Sequence, residues 1–287
     1  MSRIGIIGGS GLYQIEGISR LREEKIDTPF GPPSDALIIG ELEGKEVVFL
    51  PRHGRGHRLS PSEVNYRANI YALKLLDVGA ILSVSAVGSL RPDYKPTDMV
   101  IIDNFFDRCL LARPNTFFGE GIVAHVQMAH PLCDRLGRAL LESGREIGAV
   151  THAGGTYLNM EGPQFSTLAE SQTYRKWGMD VIGMTQMSEA RLAREAEICY
   201  ATLAMVTDFD CWYEAESGHT VSVELVLSYM EKNIKTAKEM LRRTIAKIDP
   251  EVDCSCRHAL AGAILTDRSY WPEETVRKLY PLIKNYL

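Results

Sequence analysis

Leu203-Ala-Met-Val-Thr-Asp-Phe-Asp-Cys-Trp212 carries an apolar segment straight into two carboxylates, Asp208 and Asp210, two residues apart. In extended backbone that spacing puts both side chains on one face. A carboxylate withdrawn from water is costly unless it is paired or protonated, and burial raises its pKa, so such an acid can give up a proton near neutral pH. The pattern reads as a site that holds and protonates a polar ring. Taken alone, an Asp-x-Asp after a strand is more commonly a pair of solvated loop acids, so other segments must decide.

Three further segments offer donors for an anion, each at the end of an apolar run. Gly9-Ser10-Gly11 follows the first of them, but position 14 is Gln14 and no Gly-Lys-Ser/Thr occurs, so neither a dinucleotide fingerprint nor a P-loop is present. What remains is a turn with exposed amides and a hydroxyl, suited to one small phosphate. Pro51-Arg52-His53-Gly54-Arg55-Gly56-His57-Arg58 places three Arg and two His on pliable backbone, where an Arg can grip an oxyanion bidentately; His57 is at most a supporting residue. Ser83-Val-Ser-Ala-Val-Gly-Ser89 alternates hydroxyls along a strand, with Gly88 opening the backbone. Each has a bland reading as a turn or a solvated loop, and three together are harder to dismiss than one.

The elements that must position these groups alternate. Strands are expected at Arg3 to Ile7, Ala36 to Leu42, Glu46 to Leu50, Ile81 to Val87, Met99 to Asp103, Ala153 to Met160, Asp180 to Met184 and Ile198 to Thr207. Glu43-Gly44-Lys45 is the turn of a hairpin. Ser60-Pro61-Ser62-Glu63 reads as a helix start with Ser60 as N-cap, running to about Leu76. Helices are also expected at Pro131 to Ile147, Thr167 to Trp177, Ser188 to Ala196, roughly Val221 to Ile248, and Glu273 to Asn285. This alternation predicts an α/β sheet covered on both faces. The stretches Arg113 to Val126 and Cys211 to Thr220 lack periodicity, and long loops in a compact domain tend to be functional.

With 287 residues and 45% hydrophobic content, one domain spanning 1–287 is expected. The 37 acids against 32 bases give a net charge of -5 with no basic block, which argues against a nucleic-acid or membrane-surface partner. The apolar run before Gly8-Gly9 is too short for a signal-peptide core and no 18 apolar residues are consecutive, so the expected location is cytoplasmic. Six scattered cysteines do not make a secreted disulfide framework. For Cys254-Ser-Cys256 three states are open: simple thiols first, then a strained local disulfide, then a soft-metal site with other ligands.

Together these segments resemble the trimeric purine nucleoside phosphorylase superfamily, in its methylthioadenosine-cleaving branch. The resemblance rests on Thr28-Pro-Phe-Gly-Pro-Pro-Ser-Asp-Ala-Leu37, Arg52-His-Gly-Arg55, Asn65-Tyr-Arg-Ala-Asn-Ile-Tyr-Ala-Leu73, Glu161-Gly-Pro-Gln-Phe165, Ala169-Glu-Ser171 and Thr207-Asp-Phe-Asp-Cys-Trp212, and runs to about Leu241. It implies one α/β domain with a central mixed, partly barrel-like sheet flanked by helices, assembled as a homotrimer or homohexamer.

It implies phosphate-dependent cleavage of 5′-methylthioadenosine to adenine and 5-methylthioribose 1-phosphate, with phosphate as co-substrate and neither metal nor organic cofactor. Phosphate would be held by Ser10, Arg52, His53, Ser85, Thr185 and the backbone of Ala86. Met184 would lie under the ribose and Phe165 beside base and sugar. Asp208 would act as general acid at purine N7 while Asp210 accepts from the 6-amino group. Val221, Val223 and Val226 would house the 5′ substituent, with His125 supplied by a neighbouring subunit. Gly183 departs from the Asn often found before the Met-Thr pair, and Gln186-Met-Ser188 from the usual Thr-Val-Pro, beside the phosphate and ribose subsites. A 6-oxopurine phosphorylase is the alternative, and the acid pair argues against it, because a carboxylate facing O6 opposes two acceptors. A non-catalytic nucleoside binder is the remaining class.

Overall fold

A computed structural model describes the chain except for residues 1, 10–11, 13–14, 110–112 and 218–222, and except for the side chains at 215–217 and 223–227. In chain order the strands are β1 (Arg3–Gly8), β2 (Ser19–Glu24), β3 (Leu37–Leu42), β4 (Lys45–Pro51), β5 (Val78–Ser89), β6 (Met99–Ile101), β7 (Asn104–Asp107), β8 (Thr151–Ala153), β9 (Thr156–Asn159), β10 (Val181–Gly183) and β11 (Cys199–Asp208). The helices are α1 (Tyr66–Leu75), α2 (Asp134–Glu146), α3 (Leu168–Lys176), α4 (Gln186–Glu195), α5 (Trp212–Ser217), α6 (Val223–Lys247) and α7 (Glu273–Ile283). Among the described residues no helix is long and apolar enough to cross a membrane.

All the strands join one mixed sheet, in the order β2-β3-β4-β1-β5-β10-β9-β7, with β11, β6 and β8 branching from β5. β5 is the hinge of this arrangement. One of its edges pairs with β1 in parallel as far as Ile7↔Ser83 and then with β10 in antiparallel at Ile182↔Gly88 and Val181↔Ser89. Its other edge carries β11 in parallel from Ala80 to Gly88. Residues 84–87 therefore have no strand partner on the first edge among the described residues, and the sheet forks there. Two apolar layers sandwich the sheet: Ile7, Leu50, Ile70 and Tyr200 belong to one, Ile4, Phe49, Leu82 and Leu241 to the other.

Local chemistry explains where these elements begin and end. Glu43 (φ 51°) and Gly44 (φ 73°) both take positive φ, as the two-residue hairpin turn between β3 and β4 requires. Thr167 and Glu170 form a reciprocal capping box at the start of α3. The helix expected with Ser60 as its N-cap starts five residues later, with Asn65 in that place. Glu63 bonds the Ser60 amide at 2.9 Å, but this closes only a turn; Asn65 accepts from the Ala68 amide and becomes the N-cap of α1. The single strand expected from Ala153 to Met160 is two, because Gly154 (φ 86°) and Gly155 (φ 158°) break it between β8 and β9. The short strands β2 and β7 escaped the sequence reading.

Candidate active site

β4, β1 and β5 lie side by side and parallel, with Gly8↔Pro51 and Ile7↔Ser83 in register, so the three donor-rich segments leave the sheet at one edge. Carboxyl ends of parallel strands are where open α/β sheets bind ligands. β11 runs parallel to β5 and delivers Asp208 to the same edge. The chain after β10 travels back along the forked edge of β5, carrying Met184 and Thr185 towards Ala86 and Ser85.

Within the fork Ala86 is exposed although its neighbours Ser85 and Val87 are buried. The Val84 carbonyl on this edge accepts from Arg52 Nη1 at 2.9 Å. Peptide groups alternate sides along a strand, so those of Ala86 open on the same side. The Tyr157 hydroxyl sits beneath, 3.4 Å from the Ser85 hydroxyl and 3.5 Å from the Thr185 amide. This explains Gly183: a Cβ there would lie 2.0 Å from the Tyr157 hydroxyl oxygen. Gln186 is buried in turn, donating to the Thr185 hydroxyl at 3.2 Å and accepting from Tyr200 and Thr202. Both departures from the family pattern thus belong to the packing under the fork.

Arg52 does not present the free bidentate grip expected of it. Its Nε and Nη2 bond the two carboxylate oxygens of Glu189 on α4, Nη2 also reaches the Ser83 hydroxyl at 2.7 Å, and both side chains are buried. Nη1 carries a second hydrogen, for which the described residues show no acceptor. Arg55 and Arg58 close the loop instead, against Glu23 and Asp35 and against Ser34 and Asp35 respectively. His53 donates from Nδ1 to the Leu59 carbonyl at 2.8 Å and stacks on His57 at 4.3 Å. Burial, then the adjacent Arg52 charge, pushes the His53 imidazole down to about 4, so it is neutral at physiological pH with Nε2 as an acceptor.

The two acids meet, though not as strand neighbours. A bulge between Val206 and Asp208 sets Asp208 opposite Gly88; Asp210 follows in a turn with φ 45°, so alternation along a strand does not govern its side chain. The Asp210 amide donates to Asp208 Oδ1 at 2.9 Å, and the Thr207 hydroxyl to Oδ2 at 2.7 Å. Burial outweighs these bonds and, with some repulsion from Asp210, lifts the Asp208 carboxyl above the usual range. Asp210 Oδ2 is buried without a hydrogen-bond partner among the described residues, an acceptor in want of a donor. A Cβ on Gly88 would stand 3.1 Å from Asp208 Oδ1 and 3.4 Å from the Asp210 Cβ, so glycine lets the pair close over β5.

Phe165 is 82% exposed, on a segment held to the Asp210 turn by the bond from the Cys211 thiol to the Ser166 carbonyl. Gly162 lies over Met184, where a Cβ would meet the sulfur at 2.4 Å. Two positioning residues escaped the sequence reading. Glu189 is one. The other is Arg113, buried, which donates to the carbonyls of Glu161 and Met184 and to the Ser188 hydroxyl, tying the two ribose-side segments together. Its place in the aperiodic stretch after residue 112 was the available signal. Ser10 and Val221 lie outside the described residues; Val223 and Val226 fall on α6 with their side chains outside the description. His125 lines a separate hollow with His130, Cys133, Cys254 and Cys256, so its own chain does not bring it to the acid pair.

Comparison with known proteins places the chain in a family. The model of the phosphorylase superfamily matches residues 3–246. An S-methyl-5′-thioadenosine phosphorylase of Geobacter sulfurreducens is 52% identical over 99% of each chain, and one of Hyperthermus butylicus is 51% identical over 91% of this chain and 95% of its own. Among solved structures, a methylthioadenosine phosphorylase from an antarctic soil metagenomic library superposes with a TM-score of 0.92 at 49% identity, covering 98% of each chain. The methylthioadenosine phosphorylase of Schistosoma mansoni, solved with adenine, gives 0.82 at 36% identity over 92% of this chain and 99% of that one.

Proposed function

We propose a reaction that proceeds from one premise: the chain belongs to the phosphorylase superfamily, among its S-methyl-5′-thioadenosine phosphorylases. It cleaves 5′-methylthioadenosine with inorganic phosphate to give adenine and 5-methylthioribose 1-phosphate. The observation that carries this reading is the half-buried acid pair. Asp208 has a raised proton affinity and Asp210 an unpartnered acceptor, one suited to protonating a ring nitrogen and the other to accepting from an exocyclic amine. A 6-oxopurine would set its carbonyl against Asp210 and leave two acceptors facing each other.

In this mechanism the purine lies against Asp208 and Asp210 with Phe165 beside it, and the sugar rests on Met184. Phosphate occupies the fork, bonded by the Ala86 amide, the Ser85 and Thr185 hydroxyls, the remaining Arg52 hydrogen and Ser10. His53 Nε2, neutral, accepts a hydrogen bond from the phosphate hydroxyl, which keeps its proton. The C1′–N9 bond breaks as a phosphate oxygen bonds C1′; the Asp208 proton passes to N7, so adenine leaves neutral. The phosphate charge beside the sugar stabilises its developing cation, and the fork fixes the attacking oxygen in line. No organic cofactor enters. The distance of His125 from its own acid pair supports assembly as a homotrimer or homohexamer, in which a neighbour's His125 completes the 5′ pocket with Val221, Val223 and Val226. Six cysteines without a disulfide among them support a cytoplasmic location. Products from methylthioadenosine, adenosine and inosine, with and without phosphate, test the function: adenine release that requires phosphate is expected, and equal release without phosphate contradicts it.

A further inference from the structure

Four cysteines from three distant parts of the chain converge on one point. Cys133 is the N-cap of α2, Cys199 opens β11, and Cys254 and Cys256 bracket the start of a short helical turn at 255–258. Their sulfurs all lie within 4.8 Å of one another, and Cys133 Sγ stands 3.8 Å from Cys254 Sγ. Cys133, Cys199 and Cys256 are buried and Cys254 is half-buried. None of the four is joined in a disulfide.

The spacing fits a metal site and not a disulfide. A disulfide needs sulfurs at about 2.05 Å, whereas four thiolates at about 2.3 Å from a central zinc ion sit roughly 3.8 Å apart along the edges of a tetrahedron. Four thiols packed so closely repel one another when ionised, and a dication reverses that repulsion. The surroundings suit the anionic cluster that results. The Leu136 amide bonds the Cys133 sulfur, Arg135 Nη2 lies 4.0 Å from Cys199 Sγ, and Arg138 lines the same hollow. The backbone is fixed as well, with the Cys133 amide on the Tyr200 carbonyl at 2.8 Å and the Arg257 amide on the Cys254 carbonyl at 2.8 Å.

We propose that Cys133, Cys199, Cys254 and Cys256 bind one structural zinc ion that pins the C-terminal segment to the α/β body. A complete set of four protein thiolates leaves no open position for substrate, which makes the ion structural. Its place supports this role: Cys254 and Cys256 lie beyond residue 246, where the match to the family ends, and the ion ties that extension to the first turn of α2 and the first residue of β11, the strand that delivers Asp208. The proposal is independent of the reaction proposed above.

The test uses the untagged full-length chain, reduced, mixed with Zn2+ alone and passed through gel filtration in metal-free buffer. Elemental analysis is expected to find about one zinc per chain, falling more than tenfold in Cys254→Ser/Cys256→Ser. Should that variant fail to fold, the wild-type protein titrated with Co2+ keeps the test decisive: a thiolate-to-cobalt charge-transfer band and intense tetrahedral visible bands, saturating at one equivalent and abolished by Zn2+, are expected. Wild-type protein that retains no zinc, or shows an octahedral cobalt spectrum, overturns the proposal, and so does a mass deficit of two hydrogens per cystine in protein purified under reducing conditions.

Discussion

Glu189→Gln removes the carboxylate paired with the buried guanidinium of Arg52 while keeping the side chain's size. Arg52 and Glu189 expose only 4% and 1% of their side chains, so water cannot replace the lost charge. Breaking a buried pair from one side costs about 3–5 kcal/mol, which for a domain near this size is a fall of roughly 6–20 °C in Tm. The double variant Arg52→Met/Glu189→Leu removes both charges, and apolar replacement of a whole buried pair is often nearly neutral, so it should regain most of that loss. It should not regain phosphate use. One charge-assisted hydrogen bond is worth about 1.5–3 kcal/mol, so the phosphate KM should rise about 10- to 150-fold in the double variant. Urea titrations at fixed m-value, with initial rates against phosphate concentration, measure both quantities. A Glu189→Gln protein as stable as the wild type, or a double variant with an unchanged phosphate KM, refutes this account of Arg52.

His53 in the folded chain holds its proton only near pH 4, against about 6.5 when unfolded. The unfolded chain therefore binds more protons between those values and stability falls as pH drops through the window; His53→Gln should flatten the decline, read by urea titration between pH 7.5 and 4.5. Gly183→Ala forces a methyl to within 2.0 Å of the fully buried Tyr157 hydroxyl, for about 1–3 kcal/mol of destabilisation. Because Tyr157 supports Ser85 and Thr185, the phosphate KM should rise more than the nucleoside KM; an equal rise in both counts against the fork as the phosphate subsite.

Features that depend on neighbours in the chain were legible in the sequence. The Glu43-Gly44 turn and the capping box at Thr167 are local hydrogen-bond and φ patterns, and Asp208 declared itself because an apolar run must end before an acid that it half-buries. Asp210 was found for the wrong geometric reason, since its positive φ replaces strand alternation by a turn. Glu189 could not be read at all: a glutamate on a helix looks solvated until Arg52, 137 residues away, is known to face it. The same holds for Cys133 and Cys199, which are isolated in the sequence and joined to Cys254-Ser-Cys256 only by tertiary packing. The Ser60 helix start failed because a capping-box pattern closes a single turn as readily as it opens a helix.

The claim on which the rest depends is that Asp208 delivers a proton to the purine. Asp208→Asn keeps the side-chain size and a hydrogen bond to N7 but has no proton to transfer, and general-acid assistance is worth roughly 100- to 10,000-fold. The value of kcat/KM for methylthioadenosine should therefore fall within about that range, with binding less affected, while the carboxamide serves a 6-oxo group and raises the ratio of inosine to adenosine turnover. Measuring kcat/KM for all three nucleosides in the wild type and in Asp208→Asn decides the matter; unchanged methylthioadenosine turnover together with an unchanged inosine-to-adenosine ratio would show that Asp208 is a buried bystander.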